Sequence, residues 1–300
     1  MVGPTASGKS AWALQQAQKY NGVIVNCDSV QFYEGLKIGS AAPSDEDLKK
    51  VPHYLYSYVK APEEMTAGNF IRDFYKLLDD KKIRGPIFVV GGTGFYIQAL
   101  EKGMYDVEPI DPALRLVIEN ELQEKGAEAL HAELIFADPA SKIHVNDHFR
   151  LVRAIEILRH NGRKPSQLRA ESEQLKNKNS LPFPYIKMGF MLEKEQSLGL
   201  VEKRTGWMVA NGIIEETDLF LKQGFKEWAP LSSVGYREVV EYLTHNNSRE
   251  WLASAINKST MHLIKKQKTW FKRDSAILWS DHSVQSLSKL NEQLGTFLAN

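Results

Sequence analysis

Eight residues near the start of the chain, Gly3, Pro4, Thr5, Ala6, Ser7, Gly8, Lys9 and Ser10, have the spacing G-x-x-x-x-G-K-S. Glycine-rich backbone there can turn several N–H groups toward one centre, a Lys ammonium can bridge phosphate oxygens, and a Ser hydroxyl can ligate Mg²⁺. The chemistry on offer is the holding of a phosphate chain that is either transferred or discarded. Two further segments offer groups to act beside it. Asp28-Ser29 follows the apolar run Val23-Ile24-Val25. Its carboxylate suits a base or a metal ligand, and an Asx turn closing a strand is the structural alternative. Thr93 lies in Gly91-Gly92-Thr93-Gly94, directly after the apolar run Ile87 to Val90. Glycines there permit close backbone approach, and Thr93 adds a hydroxyl. Many nucleoside triphosphatases place a Mg²⁺-holding Asp near such a strand end. Here the only nearby acid is Asp28, which weakens a pure ATPase reading.

These groups need elements to position them. Ala11, Ala13, Leu14 and Ala17 repeat at helical spacing, so Ser10 to Tyr20 reads as a helix stopped by Asn21-Gly22. The two apolar runs read as buried parallel strands, whose carboxyl ends are where ligands sit in open α/β sheets. Only Met1 and Val2 precede the loop, where a strand is usual. Strand and helix signals alternate to about residue 108. Prolines at 109 and 112 then open a helical stretch reaching about 180, Tyr185 to Leu192 reads as a strand returning to the core sheet, and the rest is mainly helical. The expected fold is α/β, a P-loop NTPase-like parallel-sheet core formed by 1–108 and 185–300, with a helical insertion over 109–184.

The insertion is locally basic although the 300-residue chain has a net charge of only +1. Between 141 and 170 stand Lys142, Arg150, Arg153, Arg159, Arg163, Lys164 and Arg169, against Asp147 and Glu156. Residues 149–163 read as an amphipathic helix with Leu151, Ala154, Ile155 and Leu158 inward. A second basic run, "KKQKTWFKR" (265–273), interleaves Trp270 and Phe271 with cations, suited to phosphate contact and base stacking or to packing of the aromatics. His144 and His148 are four apart but have no further ligand pattern nearby. Cys27 is the one cysteine, so an intrachain disulfide is excluded and a reducing compartment is expected. No apolar run approaches the roughly 20 residues needed to span a bilayer. A cytoplasmic monomer with no membrane association is the expectation.

Eight segments, in order, resemble the tRNA dimethylallyltransferases of bacterial type: "GPTASGKS" (3–10), "DSVQFYEGLKIGSAAP" (28–43), "VPHYL" (51–55), "VGGTGFYIQAL" (90–100), "DPALR" (111–115), "NDHFRLVRAIEI" (146–157), "SSVGYREVVEYL" (232–243) and "KKQKTWFKR". The resemblance implies transfer of a dimethylallyl group from dimethylallyl diphosphate to N6 of the adenine 3′-adjacent to the anticodon. Pyrophosphate leaves, so the loop would hold an anion that is discarded. It also implies that Asp28 takes a proton from N6, that Thr93 positions a substrate, and that Arg204, in "VEKRTGWMVANG" (201–212), stabilises the departing diphosphate. Mg²⁺ near Ser10 is the implied cofactor. Contact with a tRNA anticodon stem-loop is implied for Asp28, Ser29, Val30, Gln31, Thr93, Arg115, Phe149, Arg150, Arg153, Ser232, Gly235, Tyr236, Arg237, Lys265, Lys266, Gln267, Trp270 and Lys272. The family often has an arginine where Leu200 stands, a Thr-Arg pair where Thr260-Met261 stands, and Ala-Lys-Arg-Gln where Ile264-Lys265-Lys266-Gln267 stands. The alternatives are a small-molecule kinase on the same nucleotide-binding loop, a prenyltransferase of free adenine nucleotides, and a catalytically impaired tRNA-binding paralogue.

Overall fold

The computed structural model describes residues 1–79, 83–103, 110–175 and 181–299. It divides into two compact units, Met1–Ala99 with Phe183–Asn300, and Leu100–Pro182. The expected boundary at 108/109, with the proline at 109, lies outside the described residues.

The first unit begins with α1 (Lys9–Lys19), β1 (Val23–Asn26), α2 (Asp45–Lys50), β2 (His53–Tyr54), α3 (Ala67–Asp79), β3 (Ile87–Val90) and α4 (Gly94–Lys102). All four β1 residues are buried, as a central parallel strand requires. β1 pairs in parallel with β2 and with β3, in the register Ile24↔His53 and Ile24↔Phe88. The strand ends meet closely at Gly91, where a Cβ would lie 1.9 Å from the Cys27 carbonyl oxygen. Any side chain would force the ends of β1 and β3 apart.

The second unit contains α5 (Pro112–Lys125), α6 (Ala127–Ala137), α7 (His148–Asn161) and α8 (Pro165–Leu175). Its core is Ile118, Leu130, Leu134, Leu151, Val152, Ala154 and Ile155. Of the residues expected to face inward on α7, Leu151, Ala154 and Ile155 are buried and Leu158 is half-buried. Arg159 is held by two carboxylates, Glu121 at 2.9 Å and Glu133 at 2.6 Å. These pairs raise its pKa and commit that guanidinium to helix packing.

The chain completes the first unit with β4 (Lys187–Phe190), α9 (Lys194–Ala210), α10 (Ile213–Lys222), α11 (Tyr236–His245), α12 (Arg249–Phe271), β5 (Ile277–Ser280) and α13 (Val284–Ala299). β4 and β5 form a parallel pair. Sequence reading anticipated β4 but passed over β5, a four-residue strand inside a stretch read as helical.

Val2, which leads into the loop, forms an isolated bridge at the place where a strand is usual. Val2 bridges Gly91 on one side and Gly189 on the other, joining the order β2-β1-β3 to β4-β5. Val2 N–H donates to Met188 O at 2.8 Å, and Met1 N donates to Val89 O at 2.6 Å. Beneath this seam Trp12, Ala13 and Ala17 of α1 pack with Ile24, Phe88, Met188, Phe190 and, from α13, Leu290 and Leu294. Among the described residues no helix is long and apolar enough to cross a membrane.

Candidate active site

The loop 3–10 leaves the sheet at Val2 and turns into α1. Gly3 has φ +139° and Gly8 φ +81°, and Gly8 is the N-cap of α1. A Cβ on Gly3 would lie 2.8 Å from Phe190 O, so the loop hugs the end of β4 because it has no side chain there. Lys9 is buried, and its Nζ folds back to donate to Pro4 O at 3.3 Å. Burial lowers its pKa to about 8; the Asp28 carboxylate opposes that shift and the Arg204 guanidinium reinforces it. Arg204 donates from Nη1 to Thr5 Oγ1 at 2.6 Å. Its pKa is lowered by burial and supported by Asp28. The Asp28 charge thus favours the protonated form of both Lys9 and Arg204. Ser7 Oγ, inside the loop, is buried and has no hydrogen-bond partner among the described residues, whereas Ser10 is exposed at the head of α1.

Asp28 stands just past β1. Its Oδ1 accepts from Val30 N–H at 3.2 Å, so it does form an Asx turn. Buried Asn26 fixes the approach, accepting from Asp28 N–H at 2.8 Å and donating to Leu55 O at 3.0 Å. Thr93 joins the two strand ends, accepting from Ser29 N–H at 3.0 Å and donating to Ser29 Oγ at 3.2 Å. Gln31 Nε2 donates to Ser40 O and Ala41 O, both at 2.9 Å.

Two residues expected at an RNA surface have a scaffolding place here. Gln267 accepts from Thr5 N–H at 2.8 Å and donates to Gly92 O at 2.9 Å, tying the phosphate-type loop to the turn carrying Thr93. Tyr236 is wholly buried; its hydroxyl donates to Glu216 at 2.6 Å and accepts from Ser40 N–H at 3.1 Å. Burial and the Glu216 charge push its pKa far up. Gly235 N–H donates to Glu238 at 2.7 Å, and Ser232 Oγ donates to Ala229 O at 2.7 Å.

Others are outward. Lys265, Lys266 and Lys272 are exposed. Lys265, Lys266 and half-buried Trp270 line a shallow cleft of about 270 Å³ with His262, Thr269 and Arg273. Trp270 also packs over Gly94, where a Cβ would lie 2.2 Å from the indole. Arg237 is exposed and paired with Glu238 at 2.7 Å. Within the second unit Arg115 lies over the exposed Phe149 ring at 5.7 Å, Arg150 pairs with Asp147 at 3.0 Å, and Arg153 pairs with Glu156 at 3.0 Å. No group of three His, Cys, Asp or Glu able to hold a metal occurs among the described residues, so His144 and His148 recruit no third ligand there.

Sequence reading missed Glu216. Its carboxylate receives N–H bonds from Lys37 at 2.9 Å, Ile38 at 2.8 Å and Gly39 at 3.1 Å as well as the Tyr236 hydroxyl. It thereby holds the far end of the segment that begins at Asp28. Its only signal in the sequence is a Glu pair on an amphipathic helix, indistinguishable from a solvated face.

The fold is of the α/β class, a small parallel sheet with many helices, in which the glycine-rich loop 3–10 carries buried Lys9 and is bonded by Arg204. Residues 31–274 match the family model described as IPP transferase. The chain is 49% identical to a tRNA dimethylallyltransferase of Bdellovibrio bacteriovorus over 94% of its length and 92% of that protein's. It is 36% identical to one of Geobacter metallireducens, covering 98% and 96%. The crystal structure of a tRNA isopentenylpyrophosphate transferase from Bacillus halodurans is 26% identical, with a TM-score of 0.70 over 99% of this chain and 95% of that one. The chain belongs to the IPP transferase family.

Proposed function

We infer that this enzyme transfers the dimethylallyl group of dimethylallyl diphosphate to N6 of the adenine 3′-adjacent to the anticodon in tRNA, releasing pyrophosphate. The observation that carries this is the bond from Arg204 to Thr5 of the loop that holds buried Lys9, and the Asp28 charge that raises the pKa of both cations supports it. The allylic C–O bond breaks and its electron pair leaves with the diphosphate. The N6 lone pair forms the new C–N bond, and the N6 proton passes to the Asp28 carboxylate. Negative charge grows on the diphosphate as the bond breaks, so buried cations beside it bind the transition state more tightly than the ground state. Arg204 and Lys9 fill that role, with the loop N–H groups and Ser7 Oγ as further donors. Thr93, bonded to Ser29, fixes the carboxylate's strand end.

Mg²⁺ usually takes one or two protein ligands and completes its shell with substrate phosphates and water. The exposed Ser10 hydroxyl beside the loop fits such a site, and the ion would supply neutralisation of the diphosphate charge. The link from Val2 through the loop into α1 supports a P-loop NTPase-like core. The unit Leu100–Pro182 serves as the tRNA-binding insertion through Arg115, Phe149, Arg150 and Arg153. Lys265, Lys266, Lys272 and Arg237 add phosphate contacts from the core. The target adenine leaves its stack to react, which a single-stranded loop allows at low cost. The cytoplasm, where tRNA is modified, is the proposed compartment.

Incubation with labelled dimethylallyl diphosphate, Mg²⁺ and either an anticodon stem-loop or AMP tests the reading. Label on the stem-loop with release of pyrophosphate is expected. Label on AMP alone, or on neither acceptor, would overturn it.

A pH dependence follows from Lys9. Its pKa of about 8 means that the cation is lost as pH rises through that value. Pyrophosphate affinity is expected to fall above pH 8, approaching roughly tenfold per unit. Folding responds with the opposite sign. Between about 8 and 10.5 the unfolded chain holds the Lys9 proton more firmly than the fold does. The cost of this buried ammonium is thus full below that window and relieved as pH rises through it. Calorimetric titration of pyrophosphate against pH checks the affinity term. Lys9→Arg, whose cation does not titrate, should lack the step, which separates it from the ionisation of pyrophosphate itself.

A further inference from the structure

The loop assigned to diphosphate is braced from outside its own motif. His282, in the connection between β5 and α13, has its Nε2 2.6 Å from the Ser7 carbonyl oxygen, 275 positions away in the chain. A carbonyl oxygen only accepts, so Nε2 carries the proton and donates. The imidazole stacks on Phe190 of β4, with ring centroids 3.9 Å apart and 34° between the planes. It also closes against Gly8, where a Cβ would lie 2.9 Å from the His282 Cε1. The ring reaches this place because His282 has φ +68°, a left-handed backbone in which Asn, Asp and His are the commonest residues after glycine.

The Ser7–Gly8 peptide is planar and trans, so its C=O and N–H point in opposite directions. With the carbonyl drawn to the imidazole, the Gly8 N–H is turned away from it. A hydrogen bond accepted by that carbonyl also polarises the peptide and strengthens its N–H as a donor. Beside it lies Ser7 Oγ, buried and without a hydrogen-bond partner among the described residues. We propose that His282 is a positioning residue whose ring N–H holds the Ser7–Gly8 peptide in the orientation that presents the Gly8 N–H and the Ser7 hydroxyl to diphosphate. This rests on the reading of loop 3–10 as the diphosphate site. The G-x-x-x-x-G-K-S spacing does not itself call for a distant imidazole.

The test titrates the full chain with inorganic pyrophosphate and Mg²⁺, and separately with an anticodon stem-loop. It compares the unaltered protein with His282→Ala and with His282→Asn, which tolerates the left-handed backbone but lacks the reach. Both variants are expected to bind pyrophosphate about 5- to 10-fold more weakly, the effect of one lost hydrogen bond, with stem-loop affinity unchanged. Added imidazole should restore pyrophosphate binding to His282→Ala. Added 1-methylimidazole, whose neutral form stacks but has no N–H to donate, should not when the titration is run at a pH where it is uncharged. Unchanged pyrophosphate affinity in both variants would overturn the proposal. So would restoration by both compounds or by neither, or an equal loss of stem-loop affinity, since those results mark a packing role. If the unaltered protein failed to bind pyrophosphate, the reading of the loop would fall and the role of His282 with it.

Discussion

Asp28→Asn is expected to leave tRNA binding intact while lowering turnover by about 10²-fold or more, the usual effect of losing a positioned base. The exchange is nearly isosteric. The Asn side-chain oxygen can still accept from Val30 N–H, and Asn26 continues to hold the backbone on either side. The segment from Asp28 to Gln31 should therefore keep its shape, and only charge and basicity are removed. Adenine N6 is a poor nucleophile because its lone pair is delocalised into the ring, so loss of the proton acceptor falls on the chemical step. A secondary effect is separable. Asp28 supports the protonated form of Lys9, whose pKa is about 8, so the variant should lose that ammonium at a lower pH. Comparing single-turnover rates at pH 7 and below isolates the base. Equal rates there would remove Asp28 from the mechanism.

Lys9→Met should cut the transfer rate by about 10²- to 10³-fold, the range seen when one donor to a developing anion is removed. Lys9 is buried and its ammonium already carries a desolvation cost, visible as its lowered pKa. Met fills a similar volume without charge, so thermal stability should hold or rise while catalysis collapses. Loss of activity with an undiminished melting temperature would separate the role of Lys9 from any part in folding. A rate loss below tenfold would leave Arg204 and the loop N–H groups as the principal partners of the anion.

Much of this site is local in the chain and was legible there. The G-x-x-x-x-G-K-S spacing, the strand before Asp28 and the strand before Thr93 each lie within a dozen residues, so periodicity and turn chemistry expose them. The inward face of α7 was readable for the same reason: Leu151, Ala154 and Ile155 repeat at helical spacing and are buried. The charge count on the insertion was less informative. It could not distinguish Arg159, which is spent on Glu121 and Glu133, from Arg150, which is exposed on the surface beside Asp147.

By itself, then, the sequence determined the chemical groups and the short elements that carry them: the glycine-rich loop 3–10, Asp28, Thr93 and the strands beneath. The tertiary structure decided what holds them together. Gln267 meets Thr5 across 262 positions, Tyr236 meets Ser40 across 196, and Val2 bridges Gly91 and Gly189. Such partners are chosen by where α11, α12 and β4 arrive once apolar faces are buried. A polar side chain bears no mark of its distant partner until the fold removes water from both.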